Sequence, residues 1–422
     1  MSISRVSDFL VVGGGIIGIN CAKHLASKYP TSKIHLIEKE NTLGTHTSTR
    51  NSSVIHAGFY YSTESFKAKF CKMGNMELTK YCEDRKLPLL KTGKIVAPLN
   101  EEENGRIQDL YQQGLNNGID IHLLNSEQAR KIEPHLQVKN KNFQYLWSPT
   151  TKVGDNMEVM KSMTDDLKQL NNVQVFTNSK YQSIEQRNPD SISIKISDQI
   201  YETKKFINCA GLYADQIAKE FNLCQKYVAL PFKGLYIIDK DYENYNKKLK
   251  TLIYPVPPAK GNHFLGVHVT LTCDGKLKFG PTATPTLSKE NYNGFENITK
   301  MELLEILKEY IKNVFSSKFM FYLRHLQKEI PKHYMPKVFH DAGKLVDIYS
   351  DLKKNIFGYP FSKNIVFSKP GIRAQLVNVE TRELVNDFIV EEDKNSLHLL
   401  NVVSPGWTCS IPLTKYIIDK YL

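Results

Sequence analysis

Residues 8–38 read DFLVVGGGIIGINCAKHLASKYPTSKIHLIE. The apolar run 8–12 halts at Gly13-Gly14-Gly15, and residues 16–29 then set Ile17, Cys21, His24 and Leu25 at helical spacing. After Pro30 a second apolar run, 33–37, ends at Glu38, about 20 residues beyond Gly18. This order predicts strand, turn, helix and strand, the βαβ unit of a Rossmann-like α/β fold. The glycines obey G-x-G-x-x-G at Gly13, Gly15 and Gly18. The first permits the tight turn, the second lets backbone approach a pyrophosphate, and the third lets helix pack on strand. Backbone N–H groups at the helix start, those of Ile16 and Ile17 included, suit phosphate oxygens. Glu38, followed by Lys39, stands where a carboxylate accepts hydrogen bonds from ribose hydroxyls. A bound adenine dinucleotide is the expectation.

Further βα units would follow in an NAD domain, but here the chain enters a polar loop, Gly44-Thr45-His46-Thr47-Ser48-Thr49-Arg50-Asn51-Ser52-Ser53. Its small hydroxyl and amide groups, with Arg50, suit a ribityl chain and pyrophosphate, which favours FAD. Residues 62–85 follow as a long helix with Phe66, Phe70, Met73 and Leu78 on its apolar positions.

Outward from this stretch, 422 residues with 41% hydrophobic and 24% charged content suffice for a large core in two or three domains. The net charge of +12 is spread evenly, without the basic block of a nucleic-acid tail, so no nucleic-acid partner is expected. Seven cysteines form no CxxC pair and no zinc-like quartet, which predicts neither a disulfide framework nor a metal site. Counting the first strand from Asp8 leaves residues 1–7 ahead of it, too short for a signal or transit peptide, and no apolar stretch is long enough to span a bilayer. The expectation is a cytoplasmic protein, at most peripheral to a membrane.

The run HTSTRNSSVIHAGFYYSTESFKAKFCKMGN, residues 46–75, resembles FAD-dependent oxidoreductases of the D-amino-acid oxidase superfamily and, within it, the L-2-hydroxyglutarate dehydrogenase family. The resemblance continues through Lys91-Thr92-Gly93-Lys94, residues 208–215, 231–234, 252–257, Phe264-Leu265-Gly266-Val267-His268 and Gly371-Ile372-Arg373-Ala374-Gln375. It implies a discontinuous layout, with an FAD-binding domain over 1–90, 146–225 and 356–422 and a β-rich substrate domain over 91–145 and 226–355. Local patterns add helices over 155–170, 301–314 and 316–328 and strands over 173–178, 192–196, 201–210, 227–238, 251–254, 263–272 and 276–280. By the same resemblance Tyr181, Ala210 and Gly211 pass their backbone near the nucleotide. A loop at Pro405-Gly406-Trp407-Thr408, before the last helix, would lie against the flavin pyrimidine.

Oxidising a 2-hydroxy acid needs a cation for the carboxylate, a base for the hydroxyl proton and a hydride acceptor. Arg373 matches the family's carboxylate-binding position, and guanidinium binds a carboxylate bidentately. His56 is the candidate base, since imidazole titrates near neutral pH. His268 shares a strand face with Phe264 and Gly266, and Tyr60, Lys233 and Tyr254 are weaker candidates for a distal carboxylate. The family's pattern is broken at Leu235, Thr282, Gly406 and Trp407, with Thr49 and Ser53 in place of glycines. The reading is FAD-dependent oxidation of a small anionic 2-hydroxy acid such as L-2-hydroxyglutarate, with a quinone or O2 as electron acceptor. The alternatives are an amine or amino-acid oxidase of the same superfamily, or an FAD-binding subunit without catalysis.

Overall fold

The computed structural model describes residues 5–242, 248–258, 266–314, 338–347 and 365–422. The chain divides into two units, one of Met1–Asn51, Asn156–Pro231 and Ile372–Leu422, the other of Ser52–Asp155 and Phe232–Gly371. The crossings differ from the sequence expectation. Residues 52–90, 146–155 and 365–371 cluster with the second unit, and 226–231 with the first. The helix expected over 316–328, Phe264 and Leu265, and the boundary at 355/356 lie outside the described residues.

The first unit is built on five parallel strands in the order Val173–Phe176, Ile34–Ile37, Arg5–Val12, Gln199–Asn208 and Ser396–Leu400. Arg5–Val12 begins three residues before Asp8, because its register against Gln199–Asn208 starts at Arg5↔Tyr201. Leu10, Val11, Ile34 and Leu36 are buried in succession rather than alternately, as strands covered on both faces must be. Beyond Gln199–Asn208, Ile192–Ile196 pairs antiparallel with its 199–203 half and carries Tyr181–Arg187, while Ser396–Leu400 takes its 206–208 half and carries antiparallel Ile389–Glu392. Helix Ile16–Lys28 packs against the last helix, Gly406–Tyr421, and against Asn156–Lys168.

The second unit carries an eight-stranded sheet in the order Ile365–Phe367, Ile237–Asp239, Leu277–Gly280, His268–Leu271, Leu252–Pro255, Lys94–Ala97, Tyr145–Ser148 and His122–Leu124. Only Leu252–Pro255 with Lys94–Ala97 runs parallel. A smaller sheet joins Val54–Ile55, Lys152–Gly154 and Leu89–Leu90, and helix Phe66–Asp84, capped by Ser65, packs on it. The single strand expected over 227–238 is three short ones, Tyr227–Ala229, Phe232–Gly234 and Ile237–Asp239. Pro231 supplies no N–H and so breaks the ladder between the first two.

Candidate active site

The glycine turn closes as its spacing requires. Gly13 has φ +106°, and a Cβ there would stand 2.4 Å from the Cys209 carbonyl oxygen. A Cβ at Gly18 would stand 1.9 Å from the Gly13 carbonyl oxygen. The helix starting at Ile16 has Gly15 as its N-cap, which has no side chain to cap it, and no acidic residue in its first turn. Glu38 is buried at the strand end, where Oε2 accepts from Gly14 N–H at 2.7 Å and Oε1 from Glu40 N–H at 2.9 Å. These bonds aim the carboxylate and leave each oxygen a further lone pair for a ribose hydroxyl.

The polar loop comes to this helix start. Ser48 Oγ accepts from Ile16 N–H at 2.9 Å, and a Cβ at Gly15 would lie 3.1 Å from the same oxygen. Thr47, Arg50 and Asn51 mostly hold the loop itself: Arg50 Nε donates to the Thr45 carbonyl at 2.8 Å, and Asn51 Nδ2 to those of Thr47 and Ser48 at 3.0 Å. Lys39 pairs with Glu40 and lies 5.8 Å from the Tyr213 ring centroid. Tyr181 starts a strand in register with Ile196, and its hydroxyl donates to Glu220 at 2.9 Å. Ala210 borders the Gly13 turn, and at Gly211, φ +55°, the space where a Cβ would stand is open.

Two further expected positions belong to the first unit. Arg373 ends the strand Gly371–Arg373 and is anchored on either side: Thr47 Oγ1 donates to the Ile372 carbonyl at 3.1 Å, and Leu230 N–H to that of Gln375 at 2.8 Å. Gly406, Trp407 and Thr408 form the first turn of the last helix rather than a loop before it. That turn follows Pro405 with neither a side-chain cap nor an acidic residue, so this unit has a second uncapped helix start.

The second unit gathers His56, Tyr60, Tyr254 and His268 with a residue not singled out from sequence, Lys94. The rings of Tyr254 and His268 stack at 3.9 Å on adjacent strands. Lys94 Nζ lies 4.5 Å from the ring centroids of Phe59 and Tyr60 and 4.7 Å from that of Tyr254. Its side chain is fully buried, and Nζ makes no hydrogen bond among the described residues. Burial pulls the lysine down to about 7, with Cys71 opposing. His56 is held well below its usual value by burial first, then by the Lys94 charge and by His268, so its imidazole is neutral at pH 7. Burial raises both tyrosine hydroxyls, which stay protonated.

Asn75 fixes His56 from helix Phe66–Asp84. Its Nδ2 lies 3.2, 3.1 and 3.0 Å from the carbonyl oxygens of Ile55, His56 and Thr150. Lys233 is directed elsewhere, its Nζ donating to the Asn291 and Tyr292 carbonyls at 3.3 Å. Leu235 and Thr282 answer each other, with Leu235 N–H donating to Thr282 Oγ1 at 3.0 Å. Ser53 has φ +61°, a conformation that suits the glycine it replaces.

A βαβ turn built of glycines and closed by an acidic strand end defines a protein of the dinucleotide-binding class. A protein-family model, FAD dependent oxidoreductase, matches residues 8–329. The mitochondrial L-2-hydroxyglutarate dehydrogenase of Caenorhabditis briggsae is 32% identical over 426 residues, covering 98% of this chain and 92% of that protein. The Homo sapiens protein of the same name is 30% identical over 430 residues, with 98% and 88% covered. Among solved structures, the dithionite-reduced L-alpha-glycerophosphate oxidase of Mycoplasma pneumoniae with FAD bound superposes with TM-score 0.71 at 24% identity, covering 98% of this chain and 94% of that one. L-proline dehydrogenase from P. horikoshii gives 0.70 at 16%, with 99% and 94% covered, a likeness of fold alone. The chain belongs to the FAD dependent oxidoreductase family and, within it, to the L-2-hydroxyglutarate dehydrogenase family. Its cofactor is therefore FAD.

Proposed function

We propose that the chain oxidises L-2-hydroxyglutarate to the 2-oxo acid. The observation that supports this beyond family is the neutral, buried His56 beside Lys94 and His268. Bound FAD supplies the two-electron acceptor for the Cα hydrogen. His56 accepts the hydroxyl proton on its imidazole, for which it must start neutral. The proton then meets an environment that disfavours imidazolium, so it is passed on after oxidation. In the first unit, Arg373 is the guanidinium that would serve a substrate carboxylate. Gly13 to Gly18 and Glu38 hold the dinucleotide.

Anaerobic titration of the flavin absorbance tests this directly. Bleaching by L-2-hydroxyglutarate is expected, and His56→Ala should slow it by about two to four orders of magnitude. Bleaching by amino acids alone, or full speed in the variant, would overturn the reading. The electrons then leave to a quinone or to O2. Exposed Phe295, Met301, Leu304 and Leu307 on the described surface would favour a quinone presented at a lipid surface. Reoxidation faster in air-saturated buffer than with quinone-loaded vesicles would reject that acceptor. No helix among the described residues is long and apolar enough to cross a membrane.

A further inference from the structure

Two lysines of the second unit face opposite demands. Lys233 is half-buried and donates to two backbone carbonyls, as a structural ammonium does. Lys94 is fully buried, and its Nζ has three ring faces around it but no oxygen within hydrogen-bond distance among the described residues. Ring quadrupoles attract a cation without replacing its lost hydrogen bonds. The lysine held down to about 7 by burial is a cation site without its anion, and a carboxylate arriving there would restore the ammonium.

A glycine is required to put it there. Gly93 has φ +64°, and a Cβ at that position would stand 2.0 Å from the Trp147 ring, so only glycine lets the strand enter at Lys94. The following strand pairs on both sides, Lys94↔Leu252 and Lys94↔Ser148, which fixes the face its side chain takes. Tyr60, Tyr254 and Phe59 exclude water, while His56 and His268 mark the same cluster as the place where chemistry occurs.

We propose that Lys94 receives the second carboxylate of the substrate and is the residue that selects a charged chain end over an apolar one. The inference rests on the function proposed above and adds the residue that selects the chain end. A carboxylate entering the ring cage gives the ammonium its missing acceptor and counter-charge. A methyl end leaves it bare, and selectivity follows from that penalty.

The experiment compares L-2-hydroxyglutarate with L-2-hydroxyvalerate, which matches its carbon count but lacks the distal carboxylate, on the FAD-loaded enzyme and on Lys94→Met. The expected result is that the ratio of the two kcat/KM values falls by on the order of 100-fold or more in the variant, chiefly through KM for the di-acid. Equal losses of kcat on both acids would make Lys94 part of the proton chemistry and overturn the assignment. An unchanged ratio would overturn it too. Should Lys94→Met fail to retain flavin, Lys94→Gln repeats the comparison. Failure of the functional reading shows separately, as a wild-type flavin that neither acid bleaches.

Discussion

A Cβ at position 18 would stand 1.9 Å from a backbone carbonyl oxygen, a clash that no rotamer relieves. Gly18→Ala should therefore destabilise by more than about 3 kcal/mol and lower the flavin-to-protein absorbance ratio. A variant with unchanged Tm and full flavin content would refute the packing role. Such glycines are legible in sequence because their constraint is local, spanning six positions of one turn. Lys94 was not legible, although its motif carries part of the family resemblance. A lysine in a strand pattern reads as solvated, and its burial arises from residue 254, brought in by sheet pairing, and from residues 59 and 60 in the turn after Val54–Ile55. His56 and His268 stand out by type, but the low affinity of His56 for a proton comes from burial and from Lys94.

At the scale of elements, helix Phe66–Asp84 serves the strand before it through one side chain. Asn75→Leu would strip three carbonyls of a shared donor, two of them at Ile55 and His56, and one more acceptor from Lys152. We expect a loss of about 2–4 kcal/mol in thermal unfolding and slower flavin reduction at temperatures where the variant is folded. An unaltered reduction rate would show that His56 needs no such anchor. The long helix and the parallel strands were readable from periodicity, since their partners bury whole faces. The start of the last helix was not, because Gly406-Trp407-Thr408 reads as a loop while Cys409 N–H closes its turn on the Pro405 carbonyl at 3.0 Å. The short strands from Tyr227 onward read as one in the sequence for the same kind of reason: a break at one proline leaves the apolar pattern intact.

For the whole molecule, acid should be the weak direction. His35 and His398 lie fully buried in parallel strands of the first unit, and burial pulls each down to about 4. Both are neutral when folded and would charge near 6.5 when unfolded. Their contribution is therefore present above pH 6.5 and lost as pH falls toward 4, at most about 3 kcal/mol each. Tm should drop steeply over that window, less so in His35→Phe, and a flat profile would contradict it. The crossings between units were the least legible feature, because 51/52 falls inside one polar loop whose composition does not change there.

That layout also sets a schedule. Helix Ile16–Lys28 packs against Gly406–Tyr421, and strand Gln199–Asn208 takes Ser396–Leu400 as its parallel neighbour. At roughly 5–20 residues per second, the ribosome delivers the last of these partners about 20–80 s after the first glycine turn has emerged. Throughout that interval the nascent dinucleotide-binding sheet has the 206–208 end of one strand edge and one helix face uncovered, and a chaperone that shields apolar surface has its longest task there.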